Sequence, residues 1–398
     1  MKTELLGKIA KINPRVPVEL SSDASRTVHF VPMSELSEKG FILPNGTRRL
    51  GEVIKGYTYF ENGDVLVAKI TPCMENGKAA LVEGLEHDVA FGSTEFHVLR
   101  PNQEVDGKYL FYMIWNPVFR HQAEIKMTGS AGQKRVPKTF LERFEIPLPK
   151  LEEQKRIAAI LDKTNTICRK RQETIAELEA LEDSVFAFTV GTRARGYADW
   201  KEVTIESLAA SHKGAMRTGP FGSSLLHSEF VDEGIAVLGI DNAVQNRFAW
   251  DQRRFITPEK YEEMKRYTVY PNDVIITIMG TVGRSAVIPK DIPTAITTKH
   301  IATLTIDTKI AEPEFVSQAM HRHPVIAMQM TNRGAIMNSW NLGLIKSLKV
   351  PLPPIEVQRE FTKRVRQLHE LRNNLESGVS EAYNLFNSLV QRAFKGEL

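Results

Sequence analysis

Glycine-bearing loops rich in hydrogen-bond donors occur in two separate regions of the chain. TGSAGQKRVPK lies in residues 1–146, and KGAMRTGPFGSSLL lies in residues 193–350. Glycine lets the backbone approach a phosphate closely, lysine and arginine neutralise its charge, and glutamine or arginine can read a base edge with two hydrogen bonds. Together these residue types indicate a surface that binds and reads DNA.

The candidate DNA-binding residues come from these loops and from neighbouring segments of the same kind. In residues 1–146 they are Arg48, Arg49, Asn76, Lys78, Ser130, Gln133, Lys134, Arg135 and Lys138. In residues 193–350 they are Lys213, Arg217, Thr218, Ser223, Ser224, Arg284, Thr298, Lys299, His300, Arg333 and Asn338. Any one of these loops is also what an ordinary solvated turn looks like. Their recurrence, with no competing catalytic constellation, favours binding.

The sequence contains none of the common motifs of nucleotide-binding or hydrolytic sites. It lacks a Gly-x-Gly-x-x-Gly loop, a Gly-x4-Gly-Lys-Ser/Thr phosphate loop and a Gly-x-Ser-x-Gly elbow. His321 and His323 in MHRHPV have no carboxylate at ligand spacing, and such histidines are more typical of a helix end than of a metal site. Asp64 is followed by VLVAK, which lacks the second acid of a metal nuclease. We therefore expect no catalytic residues, no metal and no cofactor.

The segment NPVF, residues 116–119, leaves an enzymatic alternative open. It is similar to the Asn-Pro-Pro-Tyr/Phe loop with which adenine methyltransferases hold a flipped base. Val118 stands where that loop has its second proline, and no glycine-rich cofactor loop precedes it. An Asn-Pro pair that interrupts a helix explains the same residues. A degenerate adenine methyltransferase therefore remains an alternative.

The composition is that of a soluble globular protein with more than one domain. The chain has 398 residues, of which 42% are hydrophobic and 25% charged, and no apolar run approaches the length of a membrane span. Its net charge of +4 permits nucleic-acid binding without demanding it. Cys73 and Cys168 form neither a zinc motif nor a disulfide framework, and the N-terminus has no apolar signal segment. These features predict a cytoplasmic protein.

One sequence motif, which begins with Pro-Leu-Pro, occurs twice in the chain. PLPKLEEQKRIAAIL begins at Pro147 and PLPPIEVQREFTKRV begins at Pro351, so the offset, 351 − 147, is 204 residues. Each motif leads into a segment rich in helix-forming residues, about 40 residues long, which would make a helix of roughly 60 Å. A long matched offset indicates a duplicated module.

The two predicted helices carry apolar residues at matched positions. The predicted coiled-coil residues are Ile157, Leu161, Ile175, Leu178 and Val185 in the first helix and Phe361, Val365, Val379, Ala382 and Leu389 in the second. Their spacing of three and four residues is typical of coiled-coil packing. Thr164, Cys168, Arg171 and Glu182 interrupt the first seam. We expect the two helices to pair; the alternative is that each packs only on its own globular region.

The regions before the helices predict a mixed α/β fold with considerable sheet. The first contains the strand-like runs GDVLVAKI, KAALVEG and STEFHVLR, and the second contains GIAVLGID, NDVIITIMG and TAITTKHIATLTID. YLFYMIWNPVFRHQ and FVSQAMHRHPVIAMQM are helical runs placed late in each region. The predicted order is therefore globular region 1–146, helix 147–192, globular region 193–350 and helix 351–398.

The doubled PLP-helix motif resembles the specificity subunit of type I restriction–modification enzymes. Supporting segments are FGSTEFHVLRP and GSAGQKRVPKTFLERFEIPLP in the first region, TGPFGSSLL and GIAVLGIDN in the second, and the terminal AFKGEL. The resemblance covers essentially the whole chain, although the first region lacks the TGPFGS form. It implies an α+β protein with two target recognition domains and two helices that form an antiparallel coiled coil with pseudo-twofold symmetry.

The same resemblance implies a division of labour among subunits. Each recognition domain would read one half of an asymmetric, bipartite target in double-stranded DNA, and the helices would set the gap. They would also dock two modification subunits, which hold S-adenosylmethionine and methylate adenine, while restriction subunits translocate and cleave DNA. A methylate-only or fused-nuclease system stays open. So does a coiled-coil scaffold that binds no DNA.

Overall fold

The computed structural model describes residues 2–43, 46–87, 89–130, 132–222, 224–250, 252–324 and 341–397. The chain divides into two compact units. Unit 1 comprises Met1–Thr174 and Leu375–Leu398, and unit 2 comprises Ile175–Asn374. Each unit therefore joins one globular region, called head 1 (residues 1–146) or head 2 (residues 193–350), to parts of two helices.

The elements of head 1 are mostly short strands. The strands are β1 (Thr3–Leu5), β2 (Ala10–Ile12), β3 (Thr27–Val31), β4 (Thr47–Arg49), β5 (Thr58–Glu61), β6 (Val65–Ala68), β7 (Ala79–Leu81), β8 (Val89–Gly92), β9 (Phe96–Pro101) and, across its boundary, β10 (Glu145–Pro147). The helices are α1 (Leu6–Ile9), α2 (Leu50–Val53), α3 (Gly107–Trp115), α4 (Pro117–Ile125) and α5 (Lys138–Arg143). The first long helix, α6, runs over Leu151–Thr189.

Head 2 has the same kinds of elements. The strands are β11 (Glu202–Thr204), β12 (Met216–Thr218), β13 (Ile235–Leu238), β14 (Phe255–Ile256), β15 (Thr268–Val269), β16 (Val274–Thr277), β17 (Ser285–Val287), β18 (Ala295–Thr297), β19 (Ile301–Leu304) and β20 (Lys349–Pro351). The helices are α7 (Pro258–Met264), α8 (Pro313–His321) and α9 (Leu342–Ser347), and the second long helix, α10, runs over Ile355–Lys395. The predicted α+β architecture is thus confirmed.

The two heads share one sheet topology. Head 1 contains the sheets β2-β9-β6-β7 and β4-β3-β8-β5, and head 2 contains β12-β19-β16-β17 and β14-β13-β18-β15. Each second sheet has one parallel pair, β3 with β8 and β13 with β18. A small antiparallel pair closes each head just before its PLP motif, β1 with β10 and β11 with β20. The duplication read from the helices therefore extends through the heads.

The strands β6 and β16 occupy the centre of each head because every side chain in them is apolar or hydrogen-bonded. VLVA of β6 and VIIT of β16 are buried throughout. A continuous apolar run of this length is typical of a strand covered on both faces. The sequence runs chosen as strands all contain strands, and TAITTKHIATLTID contains two, β18 and β19, separated by a turn.

A buried aspartate precedes each central strand and is neutralised by an arginine. Asp64 receives hydrogen bonds of 2.8 Å from Nε and Nη2 of Arg100 on β9. Asp273 receives one of 2.6 Å from Nη2 of Arg217 on β12. The carboxylates occupy matching positions in the two heads. The arginines do not, because Arg100 lies on β9 whereas Arg217 lies on β12, which corresponds to β2. Each head therefore satisfies the same buried charge in its own way.

The glutamine of each PLP motif joins the head to its helix. Gln154 is fully buried; its Oε1 accepts from the Asp106 N–H at 2.9 Å, and its Nε2 donates to the carbonyls of Glu104 and Pro149, also at 2.9 Å. One buried amide side chain thus satisfies one backbone donor and two backbone acceptors.

Gln358 repeats this arrangement in unit 2. Its Oε1 accepts from the Glu312 N–H at 2.9 Å, and its Nε2 donates to the carbonyls of Pro353 at 2.8 Å and Ile310 at 3.4 Å. This shared contact explains why the chain writes the same boundary twice. We call it the glutamine junction.

Each unit contains an antiparallel pairing of its two helix segments. In unit 1, Arg171 of α6 donates to the Gly378 carbonyl of α10, and Gln172 Nε2 lies 3.0 Å from the Tyr383 hydroxyl. Gly378, which interrupts the helical sequence pattern, leaves room for the Arg171 guanidinium. The predicted pairing of the helices is therefore present in unit 1, and a polar seam residue is used in it.

In unit 2 the pairing is both aromatic and charged. Phe186 and Phe361 make an edge-to-face contact with ring centroids 5.8 Å apart, and Arg372 Nη2 lies 2.6 Å from Glu179 Oε1. His369 lies 3.6 Å from Glu182 Oε2. Burial by itself would raise the pKa of the Glu182 carboxyl. The hydrogen bond from the His369 imidazole outweighs this effect and holds the pKa of Glu182 below its usual range.

The two readings of the helices, pairing or packing on a head, are not exclusive. The core of unit 1 combines Ile157 and Leu161 of α6 and Phe386 of α10 with head-1 residues such as Tyr109. The core of unit 2 likewise combines Phe361 and Val365 with head 2. The buried predicted seam residues are Ile157, Leu161, Leu178, Phe361, Val365 and Ala382, and the half-buried ones are Ile175, Val185, Val379 and Leu389. Each helix segment is at once a core helix and one side of a pair.

Among the described residues, no helix is long and apolar enough to cross a membrane.

The glutamine junction predicts a specific loss of stability. Gln154→Leu removes the hydrogen-bond partner of the Asp106 N–H and of two carbonyls, and a polar group left unpaired away from water costs about 1–3 kcal/mol. We expect the urea-unfolding transition of the full chain, followed by circular dichroism, to report a loss of about 1–3 kcal/mol, since these groups are only partly buried. Gln122→Leu, at an exposed position of α4, is the matched control. Equal midpoints for the two variants would contradict the structural role of the junction.

Candidate nucleic-acid interface

Three loops of head 1 converge at one end of the β2-β9-β6-β7 sheet. They are the β6–β7 connection (69–78), the β8–β9 connection (93–95) and the segment 126–137 between α4 and α5. The Lys69 N–H donates to the Glu95 carbonyl at 2.9 Å, and the Val136 N–H donates to the Lys69 carbonyl at 2.8 Å. We call this group loop cluster 1. It brings the predicted TGSAGQKRVPK loop beside the MENGK loop.

An ion pair fixes the shape of loop cluster 1. Arg135 Nη2 lies 2.7 Å from Glu95 Oε1, and its Nε lies 2.9 Å from Glu95 Oε2. The hydrogen bonds from Arg135 hold the pKa of the Glu95 carboxyl below its usual range. Arg135 therefore positions the loop, and we expect it to contact DNA less than its neighbours do. Sequence reasoning missed Glu95, because nothing local links it to a residue 40 positions away.

The exposed candidate residues of head 1 differ in whether they already form an ion pair within the head. Ser130, Gln133 and Lys134 are exposed in loop cluster 1. Lys138 is exposed as well, but its Nζ lies 3.0 Å from Glu142 Oε1. Gln133 and Lys134 are therefore the clearest candidates for base and phosphate contacts in this cluster.

The other candidate residues of head 1 either form hydrogen bonds within the head or lie on the sheet β4-β3-β8-β5. Asn76 Nδ2 donates to Glu38 Oε1 at 3.0 Å, and Lys78 Nζ donates to the Met33 carbonyl at 3.0 Å. Arg48 and Arg49 are exposed on β4, where the Arg48 guanidinium lies 4.6 Å from the centre of the Phe30 ring. These arginines are not part of loop cluster 1.

Head 2 forms a corresponding group of loops, loop cluster 2. It contains the segment 219–226 after β12, the connection 239–242 after β13, the β16–β17 connection (278–284) and the β18–β19 connection (298–300). The Gly219 N–H donates to the Ile301 carbonyl at 3.0 Å, and the Ile278 N–H donates to the His300 carbonyl at 2.8 Å. A side chain at position 219 would collide with the Thr298 carbonyl, so glycine is required there.

The candidates of head 2 have unequal access. Lys213, Ser224 and Lys299 are exposed, and Arg284, Thr218, Thr298 and His300 are half-buried. The Thr298 hydroxyl is buried without a hydrogen-bond partner. Ser223, Arg333 and Asn338 lie outside the described residues. Lys299 and Arg284 form no ion pair with any residue that the structure describes, which leaves their charges available.

Arg217 is a correction to the sequence-based set. Its Nη2 donates to Asp273 and to the Thr268 carbonyl, both at 2.6 Å, and its Nη1 donates to the Thr305 hydroxyl at 3.2 Å. Its side chain is only 12% exposed. These bonds occupy the guanidinium, so we assign Arg217 to the core of head 2 rather than to DNA.

Two aromatic features of head 2 were also missed. Phe221 lies between Gly219 and Gly222 and is 52% exposed, which is unusual for so large an apolar ring. The Arg253 guanidinium lies 5.5 Å from the centre of the Trp250 ring. The sequence signal for Phe221 was the aromatic residue between two glycines in GPFG. An exposed ring of this kind can pack against a base or a sugar.

Asn116 has a structural explanation. Its Oδ1 accepts from the Val118 N–H at 2.6 Å and the Phe119 N–H at 3.3 Å, which caps α4, and Pro117 is the first residue of that helix. The side chain is 2% exposed. Asn116 thus interrupts the long helical run, as the Asn-Pro interpretation predicted, and its side chain is closed off from solvent.

The comparisons with known proteins agree with this architecture. The family "Type I restriction modification DNA specificity domain" matches residues 6–180 and again residues 197–382. The chain belongs to this family. The two matches correspond to the two heads with their following helices, which is the duplication seen in the sequence and in the sheets.

Several members of the family can be compared directly with this chain. The specificity subunit of the type I restriction enzyme EcoAI of Escherichia coli is 41% identical in an alignment 187 residues long, which covers 45% of this chain and 31% of that protein. The EcoKI specificity subunit of the K12 strain is 24% identical in an alignment 379 residues long, which covers 84% of this chain and 75% of that protein. The aligned part thus spans under a third of the first relative and three quarters of the second.

A solved structure supports the fold. The S subunit of a type I restriction–modification system from M. genitalium superposes with a TM-score of 0.62 at 16% identity, covering 99% of this chain and 96% of that one. That S subunit therefore shares the fold of this chain.

The Glu95–Arg135 pair predicts a local effect with a known pH direction. Glu95→Gln removes the charge that holds Arg135, so the amide hydrogens of Thr128 and Arg135, which are bonded across this loop, should exchange faster. Because the pKa of Glu95 is lowered, the contribution of the pair is complete above the ordinary glutamate pKa and is lost as pH falls through the lowered value. The pair is partly exposed, so the effect should stay local to this loop and leave the global stability nearly unchanged.

Hydrogen exchange followed by mass spectrometry of the loop peptide measures this effect. Glu142→Gln, which breaks the neighbouring Lys138 pair, is the control and should leave these two amides unchanged. Identical exchange in wild type and Glu95→Gln would mean that the loop keeps its shape without the ion pair.

Proposed function

We propose that this chain is the sequence-specific DNA-binding subunit of a type I restriction–modification complex. Each head reads one half of a bipartite target in double-stranded DNA. The chain supplies recognition without catalysis, while methylation and cleavage belong to modification and restriction subunits. Such a complex acts on cellular DNA, and we therefore place the chain in the cytoplasm.

The observation that carries the proposal is that the two heads present unlike residues from equivalent loops. The β8–β9 connection of head 1 lies in the segment GSTE, and the β18–β19 connection of head 2 lies in the segment TTKH. The first connection carries an acid, Glu95, whereas the second carries the basic residues Lys299 and His300. Two equal scaffolds with unequal reading loops favour a target whose halves differ in sequence.

The long helices give the proposal its geometry. Both α6 and α10 pass from one unit into the other, α6 between Thr174 and Ile175 and α10 between Asn374 and Leu375. We propose that this antiparallel pair sets the number of unread base pairs between the half-sites. Its exposed positions would dock two modification subunits.

Loop cluster 1 allows base reading to be separated from phosphate binding. Gln133→Ala should relax base preference at one position of one half-site and leave the other half-site unchanged, at about 1–3 kcal/mol of discrimination. Lys134→Gln should weaken binding to every sequence by a similar factor and reduce the salt slope by about one. Selection of bound duplexes from a random pool by the complex, with binding titrations at several salt concentrations, measures both effects.

The control for these variants is Lys2→Gln, an exposed lysine outside loop cluster 1. A coiled-coil scaffold that does not bind DNA would show no salt-dependent affinity in any variant. A contiguous selected motif, or loss of preference in both half-sites from the single change Gln133→Ala, would contradict one head for each half-site.

The helical ruler predicts a change of spacing. One heptad inserted between Thr174 and Ile175, with another between Asn374 and Leu375, lengthens both helices by about 10 Å at 1.5 Å per residue. The unread gap should grow by about three base pairs at 3.4 Å for each pair, with both half-sites kept. Mapping of methylated adenines in cells that carry the extended chain and its partners measures the gap. A heptad inserted into α6 alone should abolish methylation, and an unchanged gap in the double insertion would exclude the helices as the ruler.

A further inference from the structure

Head 1 holds a half-buried guanidinium, that of Arg120, which has no hydrogen-bond or ion-pair partner among the residues that the structure describes. Arg120 lies on α4, and its Nε is buried without a hydrogen bond. Its side chain makes no ion pair with any residue in the described part of the chain. Burial lowers the pKa of Arg120, and no carboxylate compensates it. Taking a cation partly out of water costs free energy, and proteins normally pair such a cation with an acid or use it to bind an anion.

The guanidinium lines a cavity of about 270 Å³ within unit 1. Lys39, Arg120 and Arg169 give the cavity its positive charge, and Trp115 and Tyr383 give it aromatic walls. Arg169 is 3.7 Å from its nearest acid, the exposed Glu173, which is a weak pair. Lys39 is exposed and has no ion pair among the described residues. The single acid in the wall, Glu38, already accepts the hydrogen bond from Asn76.

An unused acceptor lies in the same cavity. Gln172 Oε1 is buried without a hydrogen bond, although its Nε2 contacts the Tyr383 hydroxyl at 3.0 Å. The cavity therefore offers a surplus of positive charge together with one acceptor. A ligand with an anionic group and a hydroxyl or amine donor would satisfy both.

We propose that this cavity binds a phosphate group. Three cationic side chains against one carboxylate leave the cavity a net positive charge, which suits a phosphate monoester, and arginine can donate two parallel hydrogen bonds to the phosphate oxygens. The volume admits inorganic phosphate or a mononucleotide, whose ring would lie near Trp115 and Tyr383. The phosphate can also come from a DNA backbone, and the two sources are separable by experiment.

The position of the cavity links its occupancy to loop cluster 1. Arg120 packs so tightly against Gly77, in the β6–β7 connection, that a side chain at position 77 would overlap the guanidinium. The Gly77 carbonyl also accepts from Trp115 Nε1 at 2.9 Å. Gly77 has φ of 81°, a conformation suited to glycine. A phosphate that fixes the Arg120 guanidinium would therefore also fix the position of the β6–β7 connection at Gly77, which lies between Asn76 and Lys78.

Isothermal titration of the full chain with inorganic phosphate and with AMP tests the proposal. We expect binding at one site, weakened about tenfold to a hundredfold by Arg120→Met, which is the usual value of a hydrogen bond to a charged group. Arg120→Lys should recover part of the affinity, and Arg143→Gln, an exposed arginine on α5 of the same head, should keep it.

A parallel titration with a duplex that lacks the target separates the two sources. If the free ligands bind and Arg120→Met loses them, the site takes a free phosphate. If only duplex affinity falls in Arg120→Met, by the same factor for unrelated sequences, the phosphate belongs to the DNA backbone. If Arg120→Met changes neither titration, the proposal is overturned.

Thermal unfolding without ligand distinguishes a binding site from a structural role. Removing an unpaired charge should leave the Tm of Arg120→Met equal to that of wild type or higher. A clear fall in Tm without ligand would assign Arg120 to the core of head 1 and would also overturn the proposal.

Discussion

The glutamine junction is the contact on which the rest of the structure depends. In each unit a backbone N–H and two carbonyls are turned toward one glutamine at the start of a long helix. Gln154 and Gln358 satisfy all three groups with one amide each. A carboxylate could accept but not donate, and an apolar side chain could do neither, so the requirement is chemically narrow. The prolines that precede each glutamine have no N–H of their own to bury, which suits a tight entry to the helix.

This constraint explains why the two copies resemble each other most at their boundaries and least in their loops. Elsewhere the same physical need is met by different residues. Lys108 on α3 contacts Asp162 on α6 at 3.6 Å, while the matching positions of unit 2 hold Glu314 and Arg366, with the charges reversed. The surface loops carry no common requirement of this kind. They are therefore free to differ between the two heads, while the scaffold beneath them stays the same.

The sequence was sufficient for features that have local causes. Apolar runs bounded by Gly, Asn and Asp predicted β6, β9, β13, β16, β18 and β19, and the PLP motif predicted where both long helices begin. Contacts between distant residues were beyond it, since Arg217 meets Asp273 and Arg135 meets Glu95 only after the strands have paired. Glycine and basic residues mark a loop in the sequence, but only the fold decides which guanidinium remains free, as the pairing of Arg217 with Asp273 shows. Pairing of the two helices and packing of each helix on a head were treated as alternatives, but both occur, because one helix has enough faces for both.

The central claim is that each head and its adjoining helix segments form one cooperative unit joined at the glutamine junction. Native-state hydrogen exchange on the wild-type chain measures this directly. The account predicts that amides at 157–165 of α6 open with the same free energy as β6 and β9 of head 1, and that amides at 361–369 of α10 open with β16 and β19 of head 2. If α6 and α10 instead exchanged as a single block, with a free energy unrelated to either head, the helices would form an independent coiled coil and the account would be wrong.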